Sequence, residues 1–306
     1  MPELPEVETI KLQLEKHILG KLFNSVKIYN KKSFAGDIDS IIGKKTVAVK
    51  RFGKMLVIQL EGDIFICIHL IMTGQLILVH SSQLTAHSKK IQEVKSSQLI
   101  VHRKKIFESS KKDQISYRDL PYKHIRVVIN FESGEKLLFN DQRKFGWIKI
   151  LDKIEFININ YIKNLGPEPW DMADKDLLNI LKSKKIAIKL AIMDQKILSG
   201  VGNIYANDAL WDARILPTRS AGSLSLKEIK ALRQSIIKVL KEGIRKGGST
   251  AKDKKYTDLE GKTGSYQNNF LVYEQNGKKC TREEGGVIGK IQLGGRGTYF
   301  CTKCQK

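Results

Sequence analysis

The 306-residue chain is predicted to fold as an α+β protein, mainly β in its first half and helical in its second. Three observations predict this. Short runs rich in Val, Ile and Phe, such as Met55–Leu60 and Ile64–His69, alternate with glycine-containing breaks over residues 21–78 and resume at 125–140. After the break Leu165-Gly166-Pro167-Glu168-Pro169, apolar residues recur at helical spacing. The length suits two domains of roughly 100–200 residues each.

In chain order, Pro5 followed by Glu6 and Glu8 and by Val7, Ile10, Leu14 and Ile18 predicts a helix with proline in its first turn and acids at its positive end. The strand region follows, and the turn Glu132-Ser133-Gly134-Glu135 predicts a hairpin between the runs 125–131 and 136–140. Between the two strand blocks, residues 79–93 (VHSSQLTAHSKKIQE) and 94–108 (VKSSQLIVHRKKIFE) agree at ten of fifteen positions, a tandem duplication. Residues 81–120 hold nine Lys or Arg against four Asp or Glu, so residues 81–118 are read as an exposed basic insert. Leu177, Leu178 and Leu181 predict one helix, residues 186–195 a second, and the capping pair Ser225 and Glu228 begins a long third that stops at Gly247-Gly248. The Lys-, Gly- and Thr-rich stretch after it reads as a mobile loop.

Charge narrows the function classes. Lys and Arg number 54 against 32 Asp and Glu, a net +22, with ordinary hydrophobic content. Neutralising phosphates and releasing their counterions favours nucleic acid as the partner. The N-terminus lacks the apolar core of a signal peptide, and no run approaches the roughly 18–20 apolar residues of a membrane span, so a cytoplasmic protein is expected. Four cysteines, Cys67 alone and Cys280, Cys301 and Cys304 near the end, are too lopsided for a disulfide framework and point to a C-terminal metal site.

The N-terminal string Met1-Pro2-Glu3-Leu4-Pro5-Glu6-Val7-Glu8-Thr9 resembles that of the formamidopyrimidine-DNA glycosylase family. Further matching strings follow in the same order: Arg51-Phe52-Gly53-Lys54, His69-Leu70-Ile71-Met72-Thr73-Gly74, Lys123-His124, Asn140-Asp141-Gln142-Arg143-Lys144-Phe145-Gly146, residues 165–169, Gly202-Asn203-Ile204-Tyr205-Ala206-Asn207 and Gly295-Arg296-Gly297-Thr298. The resemblance covers nearly the whole chain except the duplicated insert.

It implies an N-terminal helix plus β-sandwich (1–150), a helix–two-turns–helix DNA-binding domain (165–248), a lesion-capping loop (249–269) and a zinc-finger-like β-hairpin (270–306). Double-stranded DNA carrying oxidised bases would run through the basic cleft of a monomeric enzyme. The implied activity is repair of oxidised purines by a bifunctional glycosylase and abasic-site lyase. After loss of Met1, Pro2 would be the nucleophile, a terminal amine with a reference pKa near ~7.7–8.0 that is partly neutral at physiological pH. Glu3 would handle protons, Lys54 would contact phosphate and assist β-elimination, and Arg296 would grip phosphate through its guanidinium fork and assist δ-elimination. Met72, Arg143 and Phe145 would fill the hole left by a flipped base. His124, Lys184, Lys185, Lys189 and Asn203 resemble further phosphate contacts.

The finger departs from the family pattern. Cys301-Thr302-Lys303-Cys304 is intact, but Cys280-Thr281-Arg282-Glu283 has glutamate where the second thiolate belongs. Three outcomes stay open: zinc on Cys280, Cys301 and Cys304 with a carboxylate of Glu283 or Glu284 or a water, weakly held zinc, or a metal-free hairpin. Two other functions stay open as well. One is the related endonuclease for oxidised pyrimidines, against which Leu4 and the Met72, Arg143 and Phe145 set argue; the other is a catalytically silent DNA-binding scaffold.

Overall fold

The computed structural model describes residues 1–80, 124–250, 256–282 and 284–306. The basic duplicated insert, Lys123 and Glu283 lie outside the described residues, and the expectations placed on them with it. Two antiparallel-rich sheets form a sandwich. Strands β1 (Phe23–Ile28), β6 (Gly74–Val79), β7 (Ile125–Phe131) and β8 (Lys136–Asp141) make one, in the order β1-β7-β8-β6. Strands β2 (Phe34–Ala35), β3 (Thr46–Phe52), β4 (Met55–Leu60), β5 (Ile64–His69) and β9 (Trp147–Leu151) make the other, in the order β2-β9-β5-β4-β3. The predicted hairpin at 132–135 joins β7 to β8, with Phe131 N–H donating to the Glu135 carbonyl.

The first helix, Leu4–Ile18, is set by its sequence: Glu3 and Glu6 cap each other's backbone at its start, and proline occupies the first turn. Its apolar positions Val7, Ile10, Leu14 and Ile18 line one stripe and enter the sandwich core with Phe23, Leu56, Ile66 and Phe139. Leu4 at its N-terminus belongs instead to the core of the helical half, beside Leu198, Val201 and Tyr205. One helix therefore joins both cores and carries residues 2 and 3 into the junction.

In the helical half, the helices Asp174–Lys182, Asn203–Asp212 and Leu226–Arg245 pack around a core of Leu177, Leu181, Leu210, Leu232 and Ile236. The predicted capping box at Ser225 and Glu228 is present. The helix expected over 186–195 is shorter, Ile188–Met193, because residues 187–189 pair with the chain at 217–220: Ile188 N–H donates to the Arg219 carbonyl at 2.7 Å. Two short helices, Lys153–Asn158 and Asn160–Lys163, link the halves. Strands β10 (Ile288–Leu293) and β11 (Arg296–Cys301) form the terminal hairpin. Among the described residues no helix is long and apolar enough to cross a membrane.

The expectation of a loose loop after Gly248 is corrected for its described part. Tyr256 and Leu259 are buried in the sandwich core, and the Leu259 carbonyl accepts from Leu78 N–H at 2.9 Å, covering the free edge of β6. Gln13 fixes the same segment through Leu259 N–H and Asp258, both at 2.8 Å. Polar composition hid the anchor of Tyr256 and Leu259, and of Tyr266, which is buried in the core of the helical half.

Candidate active site

Residues 2 and 3 sit against the turn that starts the helix Asn203–Asp212. Leu4 N–H donates to the Gly200 carbonyl, and the Glu3 carboxylate accepts from Ile204 N–H at 2.9 Å, where the helix N-terminus favours negative charge. Residue 202 must be glycine for this contact: a Cβ there would lie 2.2 Å from the Glu3 carboxyl carbon. Pro2 and Glu3 are both buried.

Behind Glu3 lies a second carboxylate. Glu6 accepts from Glu3 N–H (2.7 Å), Ser249 N–H (2.7 Å) and the Tyr205 hydroxyl (2.8 Å). Burial, then the neighbouring charge of Glu3, pushes the Glu6 carboxyl up to about 7. The sign of the linkage follows: an acid whose pKa rises on folding binds more protons in the folded state, so stability falls as pH climbs from 4.5 to about 7. The fall from this group is on the order of 3 kcal/mol. Glu6→Gln is expected to remove that component, seen as a flatter urea-unfolding stability between pH 5 and 8 than in the parent chain.

Cations surround the pair. Lys54 follows the end of β3, is buried, and donates to the Val201 carbonyl at 2.8 Å. Burial holds its ammonium below the usual lysine value; the charges of Glu3 and Glu6 oppose that shift and the charge of Arg296 adds to it. Arg296 is exposed at the tip of the terminal hairpin, where β11 begins. Pro2, Glu3, Lys54 and Arg296, separated by almost the whole sequence, thus meet at one place, an arrangement fit for a nucleophile, a proton carrier and phosphate-binding cations.

Lys189, expected to touch phosphate, is corrected. Its side chain is fully buried, and its amine donates to the Gly297 carbonyl (3.0 Å) and to the Thr298 hydroxyl (2.7 Å). Position 189 faces inward beneath the hairpin, where these acceptors replace solvent, and burial pushes the amine down to about 7. Asn203 assists from the neighbouring helix: its side-chain amide donates to the same Gly297 carbonyl at 3.2 Å. Lys184 and Lys185 are exposed just before the helix Ile188–Met193, and His124 is half-buried at the head of β7.

Met72, Arg143 and Phe145 come together on a different rim. Met72 and Phe145 are exposed, the Arg143 guanidinium lies 3.1 Å from the Met72 sulfur and stacks 4.8 Å from the Phe145 ring centre. Sequence reading missed what holds them. Asp141, fully buried, accepts from the Thr73 hydroxyl, from Arg143 N–H (3.1 Å) and from Gly146 N–H (2.8 Å), tying the 70–73 and 141–146 loops together. Ile71 and Lys144 in those loops take positive φ of 55° and 61°, conformations such a tie must sustain. Asp141→Ala is expected to cost about 1–3 kcal/mol in urea unfolding for the donors it leaves unpaired, and to loosen the hold on Met72, Arg143 and Phe145.

At the chain's end the sulfurs of Cys280, Cys301 and Cys304 lie within 4.8 Å of one another, all buried. Donors point at them: Trp211 Nε1 to Cys280 (3.4 Å), Cys304 N–H to Cys301 (3.5 Å) and the Arg282 guanidinium to Cys304 (3.9 Å), with Arg282 stacked on Trp211. Three buried sulfurs converging with these donors around them fit a metal with three sulfur ligands. Glu284 is engaged in an exposed ion pair with Arg214.

The site can be set beside known proteins. Residues 1–148 match the family model for the formamidopyrimidine-DNA glycosylase N-terminal domain, and residues 165–255 that for the formamidopyrimidine-DNA glycosylase H2TH domain. Formamidopyrimidine-DNA glycosylases of Desulforamulus reducens and of Wolbachia from Brugia malayi are 34% and 35% identical, over 100% of this chain and 99% and 100% of theirs. Among solved structures, the Lactococcus lactis Fpg in complex with an abasic site containing DNA has a TM-score of 0.79 at 29% identity, over 99% of each chain. The MutM (Fpg) protein of Thermus thermophilus has 0.80 at 30% identity, over 99% of this chain and 98% of that one.

Proposed function

We infer the reaction from one premise: the chain belongs to the formamidopyrimidine-DNA glycosylase family and is a DNA glycosylase of base-excision repair. We propose that it excises oxidised purines from double-stranded DNA and cleaves the strand as an abasic-site lyase, working as a cytoplasmic, nucleoid-bound monomer. The observation that carries this reading is the burial of Pro2 and Glu3 against the Gly202-Asn203 turn, with Lys54 and Arg296 converging on the same place.

Once Met1 is removed, the secondary amine of Pro2 attacks C1′ of the damaged nucleotide and the base leaves with a proton supplied from the Glu3 side. Loss of the sugar ring oxygen's bond to C1′ gives an iminium, which acidifies C2′. Proton removal there expels the 3′ phosphate by β-elimination, with Lys54 on phosphate, and a second elimination expels the 5′ phosphate, with Arg296 gripping it. Met72, Arg143 and Phe145 occupy the space vacated by the flipped nucleotide. Lys184, Lys185, His124 and Asn203 are assigned to backbone phosphates, which the exposure of Lys184 and Lys185 supports; a related Lactococcus lactis Fpg mutant was solved with a Fapy-dG containing DNA.

Cys280, Cys301 and Cys304 would hold one structural zinc, with a water or the Glu283 carboxylate as the further ligand. It would stabilise the hairpin that carries Arg296 and take no part in the bond changes. The test is excision from duplexes with one oxoguanine opposite cytosine or one oxidised pyrimidine. Release of the purine alone is the expected result; preference for the pyrimidine would move the enzyme to its sister class.

A further inference from the structure

The turn Phe52-Gly53-Lys54-Met55 that delivers Lys54 is held by a residue from the linker between the two halves. Tyr161, in the helix Asn160–Lys163, accepts Lys54 N–H on its hydroxyl at 3.0 Å and donates that hydroxyl to the Phe52 carbonyl at 3.3 Å. One phenol therefore satisfies both ends of the turn, and burial holds it protonated. The fit is close. Residue 53 has φ of 56°, and a Cβ there would meet the Tyr161 oxygen at 3.1 Å and side chains of Leu165 and Ser199 at 3.2 and 3.3 Å. The Tyr161 ring also packs edge-on to His69 at 5.2 Å, whose Nδ1 accepts Ile71 N–H at 3.1 Å.

The lysine is held at both ends. Its backbone is tied to Tyr161 and its ammonium to the Val201 carbonyl of the helical half. Glu168, which accepts Gly53 N–H at 3.2 Å, and Arg51, which donates to the Gly53 carbonyl at 2.9 Å, hold the middle of the turn. Without the phenol, the Lys54 N–H and the Phe52 carbonyl on either side would lose a partner, and Lys54 could shift by the fraction of an ångström that matters to a phosphate contact.

We propose that Tyr161 is a positioning residue of the strand-cleavage step, setting the reach of Lys54 toward the lesion phosphate through the Phe52–Lys54 turn. This rests on the reading of Lys54 given under Proposed function. The substitution that isolates the hydroxyl is Tyr161→Phe, which keeps the ring against His69.

The experiment is a double-mutant cycle, single-turnover cleavage of a preformed abasic-site duplex by the parent, Tyr161→Phe, Lys54→Met and the double variant. Tyr161→Phe is expected to slow β-elimination about tenfold, and Lys54→Met more. In the Lys54→Met background, Tyr161→Phe is expected to add no further loss, which a general packing role would not produce. A tenfold loss persisting in that background, or no loss in the single variant, would overturn the proposal. An unchanged rate for Lys54→Met alone would instead overturn the role given to Lys54, and Tyr161's with it.

Discussion

Glu3→Gln is expected to slow base release by roughly 10²–10⁴-fold, the contribution typical of a positioned proton carrier, while cleavage of a preformed abasic site falls far less. The distinction follows from the geometry. The amide oxygen of glutamine can still accept Ile204 N–H, as Glu3 does at 2.9 Å, so the N-terminal segment keeps its seat on the Gly202-Asn203 turn. What is lost is a group that can give up and regain a proton beside the leaving base. Single-turnover release from an oxoguanine duplex, run in parallel with an abasic duplex, measures the split. Equal losses on both substrates would show that Glu3 serves only to seat Pro2.

Lys189→Met is expected to reduce δ-elimination by about 100-fold through misplacement of Arg296, leaving β-elimination much less affected. Lys189 bridges the Gly297 carbonyl and the Thr298 hydroxyl, the two residues that follow Arg296 on β11. Methionine fills the same volume but donates nothing. Asn203 would still hold the Gly297 carbonyl, whereas Thr298 loses the amine beneath it. The measurement is the ratio of singly to doubly eliminated strand ends on a sequencing gel. A fall in DNA affinity with an unchanged product ratio would return Lys189 to the direct phosphate contact first expected of it.

Much of this was legible because the chemistry sits in short contiguous strings. The N-terminal Pro-Glu pair, the Arg-Phe-Gly-Lys turn and the Gly-Arg-Gly-Thr tip each hold the side chain proposed to act at a fixed place in a local motif, and Pro5 with the acids after it and the capping pair Ser225 with Glu228 mark helix starts directly. What was missed depends on burial, which sequence periodicity reports poorly for a lone polar residue. Lys189 reads like any basic residue near the exposed Lys184 and Lys185, yet it points the other way. Asp141 and Tyr161 have partners scattered over 68 and 107 positions, a relation that no local pattern encodes. The linker helices Lys153–Asn158 and Asn160–Lys163 are too short to show a period. The Leu259 anchor was hidden by its Lys- and Thr-rich neighbours.

The central claim is that the amine of Pro2 forms the covalent link to DNA, and borohydride trapping on a duplex carrying one oxoguanine opposite cytosine tests it most directly. Reduction of the iminium is expected to leave the enzyme attached to the strand, and Pro2→Gly, which turns a ring-constrained secondary amine into a primary one, to trap much less. The bond is expected to map to residue 2 by mass spectrometry of the digested adduct. An adduct on a lysine instead, or no adduct from an enzyme that still releases the base, would contradict the account.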